Sequence, residues 1–279
     1  MSTPPATPPG PAPSRPHAPP PPAREVDPAT GPAALLVLAM LADARLPTGA
    51  HAHSAGLEPA VQAGLLTTTH PREVDPAPGS NDPSARMRGR AGAEDVTRVP
   101  ALARTRLRTV TATEAGAAVV ARHVWLDRGD LGPVEDAWAA RTPSPAVRDA
   151  ARRLGRGYLR LALALWPDAL AGAFVPRTAP PRPLVAGAIG AVTGLDALQV
   201  ALLVGYDDVQ TIASAALKLA PLDPATTTRW VLDLHPDVAD MARGVAHLTD
   251  PDDIPSAGAP MTDAWAQAHA RTTRRLFHG

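Results

Sequence analysis

The sequence predicts an all-α protein, a single helical bundle of about eight to nine helices. Apolar residues recur at steps of three, four and seven along most of the chain, and no convincing strand alternation is found. Proline and glycine interrupt these stripes at intervals typical of helix lengths, and Ser or Asp stands before several of them as a helix cap. A helical bundle accounts for all three observations.

Residues 1–30 are excluded from the predicted fold as a disordered Pro-rich tail, so the all-α domain is predicted to cover residues 31–279. The chain has 34 prolines in 279 residues, and most of the excess lies in this tail, which has almost no large apolar side chain to bury. Such a tail could dock an aromatic-lined groove on a partner, but a solvated tail is the simpler interpretation.

The first predicted helix, at residues 33–44, is apolar nearly all round, so we expect it to be buried inside the bundle. A second helix is predicted to begin near Ser54 and to end at Gly64. Pro59 fits only in its first turn, where a missing N–H matters least. Residues 70–98 contain four prolines and no sizeable apolar face, which predicts a flexible loop insertion.

The middle of the chain contains two long apolar stripes. The first stripe predicts one helix that begins at Pro100 and ends by Gly129. Ser144 and Pro145 are an N-cap and a first-position proline, a strong start signal for the second. That helix is predicted to continue until Pro167.

The last third of the chain is predicted to be helical as well. Small residues lie on or near one side of its first helix and allow close backbone approach: Gly187, Gly190 and Gly194. Asp196 is predicted to cap a long helix through Leu219. The segment Asp223-Pro224 caps the next helix, which Pro236 breaks or kinks. A last helix is predicted from about 262 to 276.

The composition disfavours several functions. The 27 basic and 27 acidic residues cancel, so nothing indicates a binding surface for nucleic acid or an anionic membrane. The absence of Cys excludes disulfides and thiolate chemistry, and fits a cytoplasmic protein. The apolar run at 33–41 is shorter than the roughly 20 residues that span a bilayer, and it is a poor signal peptide.

His51 and His53 are weak candidate metal ligands. On an extended segment residues two apart face the same side, and imidazole suits Ni, Zn or Cu. On a helix they would be about 200° apart and could not share an ion. A turn whose histidines bond locally or touch a partner is the preferred interpretation. We therefore predict no tight nickel site in the isolated chain.

The pair Asp207-Asp208 lies in the middle of a predicted helix, where burial of two carboxylates is unfavourable. One alternative is an all-α, Mg²⁺-dependent enzyme of the isoprenoid type, which holds a diphosphate through paired carboxylates. That chemistry needs a further carboxylate one turn on, and position 211 is Thr. A polar strip at an interface is the preferred interpretation.

No catalytic signature is recognisable elsewhere. The chain lacks a phosphate-binding loop ending in Lys-Ser/Thr, a His-Glu-x-x-His motif and a Gly-x-Ser-x-Gly elbow. We therefore expect neither an enzyme nor a bound cofactor. A helical interaction module, with the Pro-rich tail as its binding element, stays a further alternative.

The segment Leu46-Pro47-Thr48-Gly49-Ala50-His51-Ala52-His53-Ser54-Ala55-Gly56-Leu57-Glu58, here called the signature segment, must turn sharply. Its proline fixes one backbone angle, and its glycines reach conformations that other residues adopt only at a cost. The segment resembles a motif of the urease accessory protein F family (UreF). Three further stretches are similar to the same family: Arg156 to Ala162, Val185 to Asp223-Pro224, and Arg274 to Phe277. The sequences at 41–66 and 141–167 are most similar to those of actinobacterial members.

The resemblance implies a non-enzymatic adaptor of urease maturation, a chaperone in metallocentre assembly. Such a protein joins a UreD/UreH-type accessory protein, recruits the nickel-carrying GTPase UreG and helps to direct nickel into apo-urease. It also implies a homodimer within the complex. By matching positions, the following residues are candidates for partner interfaces: Leu46, Pro47, Gly49, His53, Ser54, Gly56, Leu57, Glu58, Tyr206, Ser214 and Lys218.

The C-terminal residues Arg274, Arg275 and Phe277 are also candidates for a partner interface. The arginines could complement a helix dipole, and the resemblance implies that the tail contributes to partner binding. Removal of residues 270–279 should then weaken binding of the UreD/UreH-type protein. The double Asp at 207 and 208 and the loop at 70–98 depart from the family pattern.

Overall fold

The computed structural model describes residues 32–63, 98–172, 174, 179–272 and 276–277. These residues contain α-helices and two short 3₁₀ turns and no strand, so the predicted all-α fold is confirmed. The predicted tail at 1–30 and nearly all of the predicted loop at 70–98 lie outside the described residues.

Twelve α-helices occur in the described part of the chain, and two 3₁₀ turns lie at Ala50–Ala52 and Pro251–Asp253. In chain order the helices are α1 Pro32–Leu41, α2 Leu57–Gln62, α3 Arg98–Arg108, α4 Val110–Leu126, α5 Gly132–Ala140, α6 Pro145–Leu165, α7 Pro167–Leu170, α8 Arg182–Thr193, α9 Ala197–Leu219, α10 Pro224–Asp233, α11 His235–Val245 and α12 Pro260–Ala270.

The predicted caps form as expected. The hydroxyl of Ser144 accepts the Val147 N–H at 3.4 Å at the start of α6. Asp196 and Gln199 form a reciprocal capping box at the start of α9, in which each side chain accepts the other residue's backbone N–H. Each bond satisfies a backbone donor that has no partner within the helix. The helix starts near residues 145 and 197 were therefore readable from local chemistry.

The structure differs from the predicted helices in several places. The single helix predicted from Pro100 to Gly129 is divided at Thr109 into α3 and α4. Helices α5 and α7 were not predicted. The last helix ends at Ala270 rather than at 276. Helix α1 is not buried, as described below.

Helices α4, α8 and α9 form the centre of the bundle, with α6 and α11 packed outside them. A Cβ atom at Gly187 of α8 would lie 2.3 Å from the backbone carbonyl oxygen of Ala118 in α4. Only glycine permits the two backbones to come this close. The close approach predicted from the small residues is therefore observed. Helix α9 is long and apolar enough to cross a membrane, but it is mostly buried inside the bundle, and no membrane protein is indicated.

The apolar side chains form two clusters. The larger cluster lies between α4, α5, α6, α8 and α9, and the fully buried Trp138 is its largest side chain. The smaller cluster joins α9 to α2, α3 and α10, and it includes Leu57 and Phe277. Several charged side chains are also buried, and they form the centre of the site.

Candidate functional site

The signature segment forms a turn that depends on left-handed backbone conformations. Gly49 has φ +85° and Gly56 has φ +84°, and Ala55 between them also has a positive φ of +49°. Glycine reaches this region without a steric penalty, whereas alanine does so at some cost. The sharp turn predicted from the two glycines is confirmed.

The turn packs directly on the backbone of α6. A Cβ atom at Gly157 would lie 2.0 Å from the carbonyl oxygen of Thr48. The Arg160 guanidinium lies 3.5 Å from the carbonyl oxygen of Pro47 on the same side. The position of the signature turn is therefore set by a glycine more than 100 residues further along the chain.

Glu58, the last residue of the signature segment, ties the C-terminal end of the chain to the turn. Its buried carboxylate accepts the backbone N–H groups of Leu276 at 2.7 Å and Phe277 at 3.0 Å. The His269 Nε2 atom of α12 lies 2.9 Å from the same group. The Phe277 ring is buried, and the Lys218 ammonium lies 5.0 Å from its centre. Three predicted interface candidates are thereby brought together.

Asp208 of α9 is held by a buried arginine. The Arg106 guanidinium donates two hydrogen bonds to its two carboxylate oxygens, at 3.0 and 2.6 Å. The Thr111 hydroxyl donates a third at 2.7 Å. Burial acts to raise the pKa of Asp208, but Arg106 outweighs it and the pKa is lowered. Asp208 is therefore ionised and paired.

Its neighbour Asp207 belongs to a second ion-pair group. The Arg182 guanidinium at the start of α8 donates to Asp207 at 2.5 Å and, on its other side, to Glu114 of α4. All three side chains are at least four-fifths buried. Burial raises the pKa of Asp207 despite Arg182, and Asp208 and Glu114 add to the rise. The two aspartates thus have opposite pKa shifts.

These groups surround a polar cavity of about 350 Å³ between α2, α6, α9 and α12. His53 and Ser54 of the signature segment line it on one side, and Asp207 and Asp208 line it on the other. The predicted polar strip at an interface is therefore a paired, internal group of charges. Arg106, Glu114 and Arg182 were not predicted from the sequence, where the only available signal was a charged residue inside an otherwise apolar stripe.

The hydrogen bonding of His53 is unsuited to metal coordination. Its Nδ1 atom accepts the Ala55 backbone N–H at 2.8 Å, so the proton of the neutral ring is on Nε2. Neither nitrogen then has a free lone pair for a metal. Burial, together with the charges of Arg106 and Arg182, lowers the pKa of His53 to about 4.

His51 lies in the 3₁₀ turn, whereas His53 has an extended backbone. The uniformly extended segment that would place both side chains on one side is therefore not formed. Among the residues that the structure describes, no group of three or more His, Asp or Glu side chains is arranged to hold a metal ion.

His53 is expected to make the protein less stable at mildly acidic pH. Because its folded pKa of about 4 is below the unfolded value of 6.5, the unfolded chain binds more protons between these values, and stability falls as the pH falls through that window. The variant His53→Asn keeps an acceptor for the Ala55 N–H and removes the titration. From pH 7 to pH 5 the wild type should lose about 1–2 kcal/mol more than the variant. Urea denaturation at both pH values measures this; parallel losses would contradict it.

Glu58→Gln is expected to release the C-terminal residues from the signature segment. The amide keeps the shape but turns one acceptor into a donor facing backbone N–H groups, at a cost of about 1–3 kcal/mol. Hydrogen exchange at the Leu276 and Phe277 amides should become faster. The control is Glu135→Gln, which removes a pair with Arg152 at the molecular surface, where both side chains are about one quarter exposed, and should change stability by less than about 1 kcal/mol. Unchanged exchange in Glu58→Gln would contradict the expectation.

A second surface of the molecule is apolar. Leu35 and Leu36 of α1 are 58% and 71% exposed, so the prediction that this helix is buried was wrong. Beside them an apolar groove of about 460 Å³ runs between α1, α9 and α11, with Tyr206 and His235 in its wall. A helix that is apolar all round can be covered by other copies or partners as well as by its own bundle, and sequence periodicity does not distinguish these cases.

The other interface candidates differ in accessibility. Ser54, Leu57, Glu58 and Phe277 are buried within the chain. The more accessible candidates are Leu46, Pro47, Gly49, His53, Gly56, Tyr206, Ser214 and Lys218. Arg274 and Arg275 lie outside the described residues. The candidates therefore form two groups, one around the signature turn and one along α9.

The fold and the site define a class of all-α proteins in which a turn with two left-handed glycines lies over a group of buried ion pairs. The sequence model of the UreF family matches residues 94–235. A urease accessory protein UreF of Mycobacterium marinum is 35% identical over 252 residues, which cover 87% of this chain and 98% of the relative. UreF proteins of Mycobacterium bovis and Mycobacterium tuberculosis are 37% and 36% identical over 253 residues, with the same coverage of both chains.

The chain therefore belongs to the UreF family of urease accessory proteins. The family resemblance inferred from the signature segment is confirmed, as is its similarity to actinobacterial members.

Proposed function

We propose that this chain is a cytoplasmic, non-enzymatic adaptor in urease maturation. It joins a UreD/UreH-type accessory protein, recruits the GTPase UreG and helps to deliver nickel to apo-urease, as a chaperone of the assembling metal centre. The observation that carries the proposal is its alignment with UreF proteins over 98% of their length. GTP hydrolysis belongs to the partner in this scheme, so no cofactor is required here.

The charges of the site support an adaptor better than an enzyme. An enzyme that holds Mg²⁺-diphosphate needs carboxylates free to coordinate the metal, whereas Asp208 is bonded to Arg106 and Thr111, and Asp207 to Arg182. Buried ion pairs of this kind fix the relative positions of the helices that carry them. Turnover of an allylic diphosphate that depends on Mg²⁺ and is lost in Asp208→Asn would contradict the proposal.

The homodimer of the proposal is supported by the apolar surface of α1. Its exposed leucines and the adjoining groove would be solvated in a monomer, and contiguous apolar patches of this kind are typical of interfaces. A second copy presents the same apolar surface, so a two-fold arrangement can cover both at once. Tyr206, a predicted interface residue, lies in the wall of this groove.

Leu36→Glu is expected to convert the dimer into a monomer. The side chain is 71% exposed, so the fold should be unaffected, whereas a carboxylate in an apolar interface is strongly unfavourable. Light scattering after size exclusion measures the mass. The control is Leu232→Glu, at a residue of α10 that is 55% exposed. A dimer that persists in Leu36→Glu would exclude this surface as the interface.

The tail candidates remain part of the proposal. Because Phe277 is buried against Lys218 and held by Glu58, docking of the tail on a partner requires either its release or contact with its outer side. Binding of the UreD/UreH-type protein should weaken when residues 270–279 are removed. Unchanged affinity with unchanged folding would reject a role for the tail.

The function is tested by expression of the source organism's urease genes in a heterologous host, with and without this chain, at fixed nickel. We expect urease activity and urease nickel content to fall sharply without it, while apo-urease still accumulates. Equal nickel content in the two strains would overturn the proposal.

A further inference from the structure

The exposed side of α6 carries three arginines, Arg153, Arg156 and Arg160. At 100° per residue they lie within about 60° of one another around the helix axis and extend over about 10 Å along it. We call this set the arginine strip. Arg153 also lines the polar cavity, and Arg160 lies beside the signature turn. The strip thus follows the edge of the site.

Most other arginines in the described part of the chain have an acidic or carbonyl partner. Arg104, Arg106, Arg152, Arg182 and Arg243 each pair with a carboxylate, and Arg122, Arg141 and Arg148 donate to backbone carbonyl groups. Within the described residues the three arginines of the strip form no ion pair within 4.0 Å, although Asp149 lies one turn before Arg153 on the same side. Arg160 donates one hydrogen bond of 3.5 Å, to the carbonyl oxygen of Pro47. Like charges one turn apart on a helix repel each other. No carboxylate in the described part of the chain pairs with the strip to offset this repulsion.

The strip is held in a rigid position. Gly155 and Gly157 of the same helix lie so close to the backbones at Pro180 and Thr48 that neither has room for a Cβ atom. Pro47, exposed at the edge of the turn, adjoins the strip through its contact with Arg160. A row of guanidinium groups that has no carboxylate partner among the described residues, on a fixed helix, suits carboxylates, which guanidinium binds through two parallel hydrogen bonds.

We propose that the arginine strip of α6 docks a carboxylate-rich surface of a protein partner. This inference rests on the proposed function and deepens it, because it locates one partner contact beside the signature turn. A nucleic-acid backbone would also attract guanidinium groups, but the overall charge of the chain is zero and the strip is only three residues long.

The test compares the full-length wild type with Arg153→Glu/Arg156→Glu/Arg160→Glu. A matched control is Arg108→Glu/Arg128→Glu/Arg229→Glu, at exposed arginines without a partner in the described residues, with the same change in net charge. Binding of each is measured by interferometry, at low and high salt, to the UreD/UreH-type protein, the UreG-type GTPase and apo-urease. Circular dichroism verifies folding. A second set with Arg→Lys keeps the charge and removes the two-bond geometry.

We expect the strip variant to bind one of these proteins at least about tenfold more weakly at low salt, with a smaller loss in the control and an intermediate loss for Arg→Lys. Equal binding by wild type and strip variant, or equal losses in strip and control, would overturn the inference but not the proposed function. If the wild type binds none of the three proteins, both fail. Wild-type binding to a 20-base-pair DNA duplex, lost in the strip variant, would overturn the protein partner in favour of phosphate.

Discussion

Replacement of Arg182 by methionine is expected to destabilise the protein by about 3–5 kcal/mol, the largest loss that we expect from any single substitution in the site. Arg182 is the common partner of Glu114 and Asp207, and all three side chains are largely buried. Methionine fills much of the same space but leaves two carboxylates in the interior without a cation. The unfolded state hydrates both groups, so the loss falls on the folded state.

Urea denaturation followed by circular dichroism measures this loss. The control is Arg104→Met, which removes a half-exposed pair with Asp237 and should change stability by less than about 1 kcal/mol. The triple variant Arg182→Met/Glu114→Gln/Asp207→Asn removes the unpaired charges together with the arginine. It should recover a substantial part of the stability. Equal losses in Arg182→Met and Arg104→Met would show that the buried pairs are not needed.

Gly157→Ala is expected to separate the signature turn from α6, with a loss of about 2–3 kcal/mol in stability. The added methyl group would lie 2.0 Å from the Thr48 carbonyl oxygen, and the atom it meets is backbone, which cannot move aside alone. Alanine favours a helix over glycine by about 1 kcal/mol, so the steric effect must exceed this gain. Because the turn moves, activation of urease should fall as well.

The control for this variant is Gly244→Ala in α11, where nothing lies within 4 Å of the added atom. It should stabilise the protein by up to about 1 kcal/mol. Denaturation measures both variants, and urease activation in the heterologous host provides the functional readout. A Gly157→Ala protein as stable as Gly244→Ala would contradict the close packing of the turn.

Much of the local structure could be predicted because the chemistry is local. The caps at Ser144 and Asp196 bond to residues three positions away, and Pro236 interrupts a helix through its own missing N–H. The break at Thr109 was missed because apolar periodicity continues through it, and the end of α12 because its last turns carry no stop signal. The signature segment was recognised as a turn because proline and glycine limit the backbone by themselves.

The sequence by itself determined the all-α class, most helix starts and the family, since each depends on periodicity, capping or a contiguous motif. Only the tertiary structure decided which charged residues meet. The pairs Arg106 with Asp208 and Arg182 with Glu114 join residues 102 and 68 positions apart. It also decided that Phe277 is buried at Glu58 and that Leu36 is exposed. Side-chain contacts between distant helices depend on how the helices pack, and a single sequence without packing geometry does not specify them.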